Sequence, residues 1–266
     1  MPSSMSLERK KMLRERTRPQ VDGKKLASQI TDDPIMAEIF AQTAQTTLPG
    51  MINAESRHGV MPVATDGASR IVQENDLDTI KSTQKFNHEI LYQPGKGYGD
   101  ALIYGIKNCK TKYFCIFNAD GSFDYKDLFK MYDLIKDNDF VFTSRYMPSG
   151  GSDDDTIITY FGNKFFSSLG KIFFSLKIDD ILYTYLMGKT ASFNKLHINS
   201  DDFKFCVELP IKMELEKMNY TSIPSFEKKR IGGKKKVNAL IDGFLILIEI
   251  LKLFFNHKIL RKKIIK

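Results

Sequence analysis

Three short stretches carry residue types suited to phosphate and metal chemistry. Asn118-Ala119-Asp120 closes an apolar run from Tyr113 to Phe117, which places a carboxylate at the tip of a buried strand. Mg2+ and Mn2+ prefer oxygen ligands and are often held by one or two carboxylates together with substrate phosphates. Asp120 is the strong ligand candidate, Asn118 offers a neutral carbonyl, and Ser122 and Asp124 can contribute through water. The same stretch also reads as an ordinary strand-to-helix turn with an Asp cap. Gly95-Lys96-Gly97-Tyr98-Gly99 precedes a helical stretch. There Gly97 and Gly99 permit close backbone approach to a ligand, and a helix start behind them favours an anion. Arg230-Ile231-Gly232-Gly233-Lys234-Lys235-Lys236 sets a glycine pair between one Arg and three Lys. Arg can grip phosphate through paired N–H donors and Lys acts as a point charge, so this suits a loop closing over phosphate. A solvated basic loop is the other reading.

The elements that must position these stretches follow from hydrophobic pattern and turn chemistry. Val60 to Ala64 reads as a short strand, Thr65 to Ser69 as a turn, and about 68–82 as a helix. Glu89 to Tyr92 reads as a strand, Asp100 to Asn108 as a helix and Tyr113 to Phe117 as a strand buried on both faces. Asp124 to Lys136 reads as a helix with Leu128, Met131, Leu134 and Ile135 on one face, followed by a strand at Phe140 to Thr143. The β-α-β-α-β alternation predicts a parallel α/β sheet, with ligands at the carboxyl ends of its strands. Further helices are expected over 156–178, 204–218 and 237–255, with a strand-and-loop region over 179–196. Residues 1–59 read as polar and helical, without a strand pattern or a chemical motif.

The chain has 266 residues and a formal net charge of +8, with 42% hydrophobic and 27% charged residues, a balance that supports a core and excludes global disorder. The three cysteines have no metal-type spacing and suit a reducing cytoplasm better than a disulfide scaffold. The first thirty residues are charged and have no apolar run, so a signal peptide is not expected. The positive charge concentrates in residues 8–25, in 228–236 and in the last nine residues. Those runs lack interleaved stacking aromatics and any nucleic-acid motif, so nucleic acid is not the expected partner.

Taken in order, several motifs form a combination. They are Gly97-Tyr98-Gly99-Asp100-Ala101, Tyr113 through Ser122, Ser144-Arg145-Tyr146, Asn163, Asp180, and Arg230 through Lys235. Over about 60–250 this resembles the family 2 glycosyltransferases, in particular the branch that transfers sugars to polyprenyl phosphates. The resemblance implies a GT-A fold, a Rossmann-like mostly parallel sheet flanked by helices, here with helical N- and C-terminal segments. It implies a family 2 domain over 60–236, preceded by 1–59 and followed by an amphipathic helix and basic tail over 237–266.

By that likeness Asp66 and Gly67 lie in the turn that contacts the nucleotide, with Thr65 where the family usually has a first Asp. Asp120 matches the second Asp of the metal-binding Asp-x-Asp motif, and Asn118 replaces the first. Arg145 faces the donor and Glu208 matches a helix carboxylate near the acceptor. Arg230, Lys234 and Lys236 resemble the mobile segment that grips a diphosphate or acceptor phosphate. The family's opening strand, with its Pro-x-Tyr-Asn-Glu-like turn, has no counterpart in residues 20–31.

The implied reaction moves a hexose from a nucleotide-diphosphate sugar to a lipid phosphate or lipid-linked glycan with inversion, assisted by Mg2+ or Mn2+ on Asp120. Glu208, and after it Asp180, are the candidates for a base if the acceptor is a hydroxyl. The departures at Thr65, Asn118 and the first strand also suit a binding module without turnover. In 237–255, Asn238, Asp242, Glu249 and Lys252 fall on one narrow stripe and the remaining surface is apolar. This helix reads as a core helix, a membrane-surface helix or a homodimer contact. The basic tail behind it suits a cytoplasmic protein at the cytoplasmic membrane face.

Overall fold

A computed structural model describes residues 60–64, 67–72, 88–118, 120–230 and 239–264. The elements are β1 (Val60–Ala64), β2 (Gly67–Val72), β3 (His88–Tyr92), α1 (Tyr98–Lys107), β4 (Tyr113–Asn118), α2 (Asp127–Ile135), β5 (Phe140–Ser144) and β6 (Gly151–Ser152). They continue with α3 (Ile157–Phe174), β7 (Leu186–Lys189), α4 (Thr190–Lys195), α5 (Phe205–Leu215), β8 (Tyr220–Pro224), β9 (Phe226–Glu227) and α6 (Ala239–Ile264). The expected segment 1–59 and the expected helix beyond residue 72 lie outside the described residues.

Seven strands form one sheet in the order β3-β2-β1-β4-β7-β5-β8, and β6 pairs β9 in a separate ribbon. Alternation along β4 and β5 divides the core. Phe114, Ile116, Phe140 and Phe142 face one side, where they meet buried residues of α1, α3, α5 and α6. Cys115, Phe117 and Val141 face the other side and meet Leu128, Met131 and Ile135 of α2. Helices on both faces explain why β4 and β5 are apolar throughout rather than alternating. The expected α2 face needs one correction: Leu134 is exposed, because it lies on the solvent side of the helix. Gly188 in β7 is required by close approach, since a Cβ there would meet the Phe114 ring at 2.6 Å.

The α/β fold with a mixed sheet flanked by helices agrees with the GT-A expectation, but its strand directions do not follow a parallel sheet. Pairings β2–β3 and β5–β8 are parallel, whereas β1–β2, β1–β4, β4–β7 and β5–β7 are antiparallel. β7 runs between β4 and β5 and pairs antiparallel with both. The expected turn over 65–69 and helix from 68 are also corrected, because Gly67–Val72 is a strand paired on both sides. Two neighbouring ladders override a weak local helical preference. The slot beside β4, left open by the absent first-strand motif, is filled by β1, where Met61 pairs Phe117 and Pro62 pairs Ile116. The central backbone edges of β2 and β4 are therefore covered.

Candidate active site

The candidate site stands at the end of β4. Gly121, at φ 83°, turns the chain just past Asp120 in a conformation that favours glycine. Asp120 Oδ1 accepts hydrogen bonds from the Ser122 N–H (3.0 Å) and hydroxyl (2.7 Å), which hold the turn. Its other oxygen faces Arg230, with NH1 to Oδ2 at 3.7 Å.

Arg230 arrives there through the small ribbon. β6 and β9 pair in parallel, and the Asp153 N–H donates to the Glu227 carbonyl at 2.9 Å. Asp154 and Arg230 flank this ribbon, and Arg230 Nε and NH2 lie 3.1 and 3.0 Å from Asp154 Oδ2. Lys228 is anchored next to them by its N–H to the Ser122 carbonyl (2.8 Å) and by its ammonium to Asp124 (3.2 Å). Three carboxylates and two cations are thus gathered at one strand end, each paired with a neighbour. Arg230 and Lys228 carry donors that phosphate oxygens can accept from as carboxylate oxygens do.

Among the described residues, no three His, Cys, Asp or Glu side chains gather into a metal cluster. Of the three carboxylates, Asp120 lies nearest the end of β4 in the chain and has one oxygen committed to Ser122. That donor set suits an ion that arrives coordinated by a diphosphate, rather than an ion caged by protein alone.

The glycine loop is packed against protein. A Cβ on Gly97, at φ 110°, would lie 2.2 Å from the Asp201 carbonyl oxygen, and one on Gly99 2.1 Å from that of Ser200. The Asp100 N–H donates to the Asp201 carbonyl, the Tyr98 ring stacks on Phe203, and Tyr98 and Thr184 hydroxyls share a hydrogen bond. Contact with residues 200–202 accounts for both glycines without a phosphate.

Glu208 holds that same 200–202 segment. Its carboxylate accepts from the Asn199 and Ser200 N–H groups and pairs with Lys212 at 2.7 Å. Burial alone would raise its pKa, but hydrogen bonds from Lys212 and Ser200 outweigh this and lower it from the ordinary value. A depressed pKa makes Glu208 a poor base. The sign of the linkage is set by that direction. Glu208 contributes stability above the ordinary glutamate pKa of 4.5, and the contribution is lost as pH falls through the lower folded value. Glu208→Gln should therefore unfold at a lower temperature than wild type at neutral pH, and the gap should close on acidification below that range. A gap independent of pH in thermal melts would exclude the ionised role.

Asp180 is still more engaged. Its side chain is fully buried and accepts from the Arg145 backbone N–H (3.0 Å), Nε (2.8 Å) and NH2 (2.9 Å), and from the Asn163 amide. Arg145 NH1 continues to Glu227 Oε2 at 2.9 Å, and its guanidinium lies over the Tyr183 ring at 4.5 Å. Burial works against the charge on Arg145, but Asp180 and Glu227 overcome it and raise its pKa. Arg145, expected to face the donor, is a framework residue joining β5, α3 and β9. Asp180, expected as a second base, has no free lone pair for a substrate proton.

The structure thus brings Asp120 and Arg230 together, sets Asn118 at the end of β4, and places Asp180 with Arg145 in a separate buried cluster. Gly67 opens β2, while Asp66, Lys234 and Lys236 lie outside the described residues. Sequence reasoning missed Asp154 and Glu227. Their only signal was position, Asp154 inside an acidic run and Glu227 three residues before Arg230.

Residues 65–196 match Glycosyl transferase family 2. An uncharacterized glycosyltransferase of Mycobacterium bovis is 25% identical over 204 residues, covering 76% of this chain and 92% of the relative. Two uncharacterized glycosyltransferases of Mycobacterium tuberculosis strains match with the same identity and coverage.

Proposed function

We propose, from the glycosyl transferase family 2 domain carried by residues 65–196, that the end of β4 binds a nucleotide-diphosphate sugar and transfers its hexose with inversion. The observation that carries this reading is Arg230, held by Asp154 and set against Asp120 at 3.7 Å. An arginine parked between two carboxylates is positioned to exchange them for a diphosphate. Lys228 would follow it, and Lys234 and Lys236 would extend the same basic segment. Mg2+ or Mn2+, held by Asp120 with the Asn118 carbonyl, would neutralise charge on the diphosphate.

In the transfer, the acceptor oxygen bonds to C1 of the sugar from the face opposite the diphosphate. The C1–O bond to the diphosphate breaks, and its electron pair leaves with the nucleotide. Arg230 and Lys228 stabilise that developing charge. A phosphate acceptor is already anionic and needs no base, which fits the commitment of Glu208 and Asp180 to structure. We therefore favour a lipid phosphate over a hydroxyl of a lipid-linked glycan.

A thermal-shift panel of nucleotide-diphosphate sugars with Mn2+ tests the reading. A ligand at a hundredfold its Kd stabilises by about 2.7 kcal/mol, on the order of 5 °C for a domain of this size. Arg230→Ala should remove most of that shift. No shift with any donor at millimolar concentration would overturn the proposal. The antiparallel β1 in the central slot favours a second reading, a binding module without turnover. A clear donor shift without sugar transfer to any lipid-phosphate acceptor would select it.

A further inference from the structure

The C-terminal helix does not present the face its polar stripe predicts. Glu249, on that stripe, is buried beside Ile246, Ile250 and Leu253, while Phe244, Ile248 and Phe255 are exposed. α3 repeats the arrangement. Ile157, Phe161, Phe165 and Ile172, at helical spacing, are 77%, 65%, 51% and 74% exposed, opposite buried Asn163, Phe166, Ser167 and Gly170. The two helices pack together, with Phe254 of α6 stacked on Phe173 of α3 at 4.5 Å. In each helix the apolar stripe lies on the side away from the core.

We propose that α3 and α6 form one docking face for an anionic lipid bilayer. The charge supports a bilayer over a second copy of the chain. α6 continues to Ile264, and its last two turns carry Lys258, Arg261, Lys262 and Lys263 in sequence, so the apolar face runs into a basic helix end. Apolar side chains enter the acyl boundary while Lys and Arg meet anionic headgroups. Two such basic ends would repel each other in a dimer of parallel helices. Among the described residues no helix is long and apolar enough to cross a membrane, so the contact is with the surface.

The face also meets the candidate site. Ile157 is three residues after Asp154, a chain span of at most about 10 Å. Asp154 holds Arg230 against Asp120. An acceptor phosphate at headgroup depth beside the α3 start is thus next to the cationic cluster. This last step rests on the transferase reading, whereas the docking face does not.

The test is flotation of the full chain with phosphatidylcholine vesicles, with and without about one-third phosphatidylglycerol. Wild type should float with the anionic vesicles, less with neutral ones, and less as salt rises. Phe161→Asp and Phe244→Asp should each weaken binding about tenfold or more, with melting temperatures and donor-induced shifts unchanged because both side chains are exposed. Failure of wild type to float with anionic vesicles would overturn the proposal. So would a dimer in light scattering that both variants dissociate. Flotation without a donor shift would remove the transferase reading and leave the bilayer face standing; a donor shift without flotation would do the reverse.

Discussion

Asp180→Ala is expected to cost about 3–5 kcal/mol of stability, the range for removing one partner of a buried ion pair. The change strips four hydrogen bonds at once: three donated by Arg145 and one by the Asn163 amide. The Arg145 side chain is 11% exposed, so water cannot replace those partners. Glu227 would remain on NH1, but Nε and NH2 would be buried without an acceptor. The loss matters beyond α3 and β5, because Glu227 belongs to the ribbon that delivers Arg230. Urea denaturation measures it as a fall in midpoint. Asp180→Leu combined with Arg145→Met and Glu227→Gln should recover part of the loss, because that triple change leaves no orphaned charge. A cost below about 1 kcal/mol would show a network open to solvent rather than a buried hub.

Asp120→Ala is expected to lower kcat for sugar transfer by about 10²–10³-fold, the scale for losing one electrostatic stabiliser of a developing charge. It should leave the fold nearly unchanged, since among the described residues Asp120 bonds to Ser122 within its own turn and pairs with Arg230 at 3.7 Å. The contrast with Asp180 is the diagnostic point. One carboxylate is buried and saturated, and its loss should act on stability; the other is partly open and loosely paired, and under the proposed function its loss should act on turnover. The measurement is kcat at saturating donor and Mn2+, repeated with EDTA. Full metal-dependent activity in the variant would remove Asp120 from the site.

Much of this arrangement can be read locally. The apolar run at Tyr113 to Phe117 marks β4 as a strand buried on both faces, and the turn after it marks Asp120 as a site candidate. The glycines before α1 signal close approach, but a glycine does not name what approaches, and here it is the backbone of residues 200–202. Glu208 and Asp180 were legible as notable carboxylates. Their partners were not, because Ser200 and Arg145 reach them through loops rather than through a helix or strand period.

Hydrophobic periodicity and turn chemistry act over a few residues, so the sequence by itself determined the α/β class, β3, β4, β5, α1, α2 and the placement of Asp120 at a strand end. Strand direction and partner choice depend on contacts between residues far apart in the chain, which no local period encodes. Tertiary pairing therefore decided that β1 runs antiparallel in the central slot and that β6 meets β9 to bring Arg230 onto Asp154. Likewise, Arg145 meets Asp180 across 35 positions. The same holds for α6, whose pattern allows more than one orientation. Packing against α3 and α5 turned Glu249 inward and left Phe244 and Ile248 outside, which is the reason its exposed face is apolar.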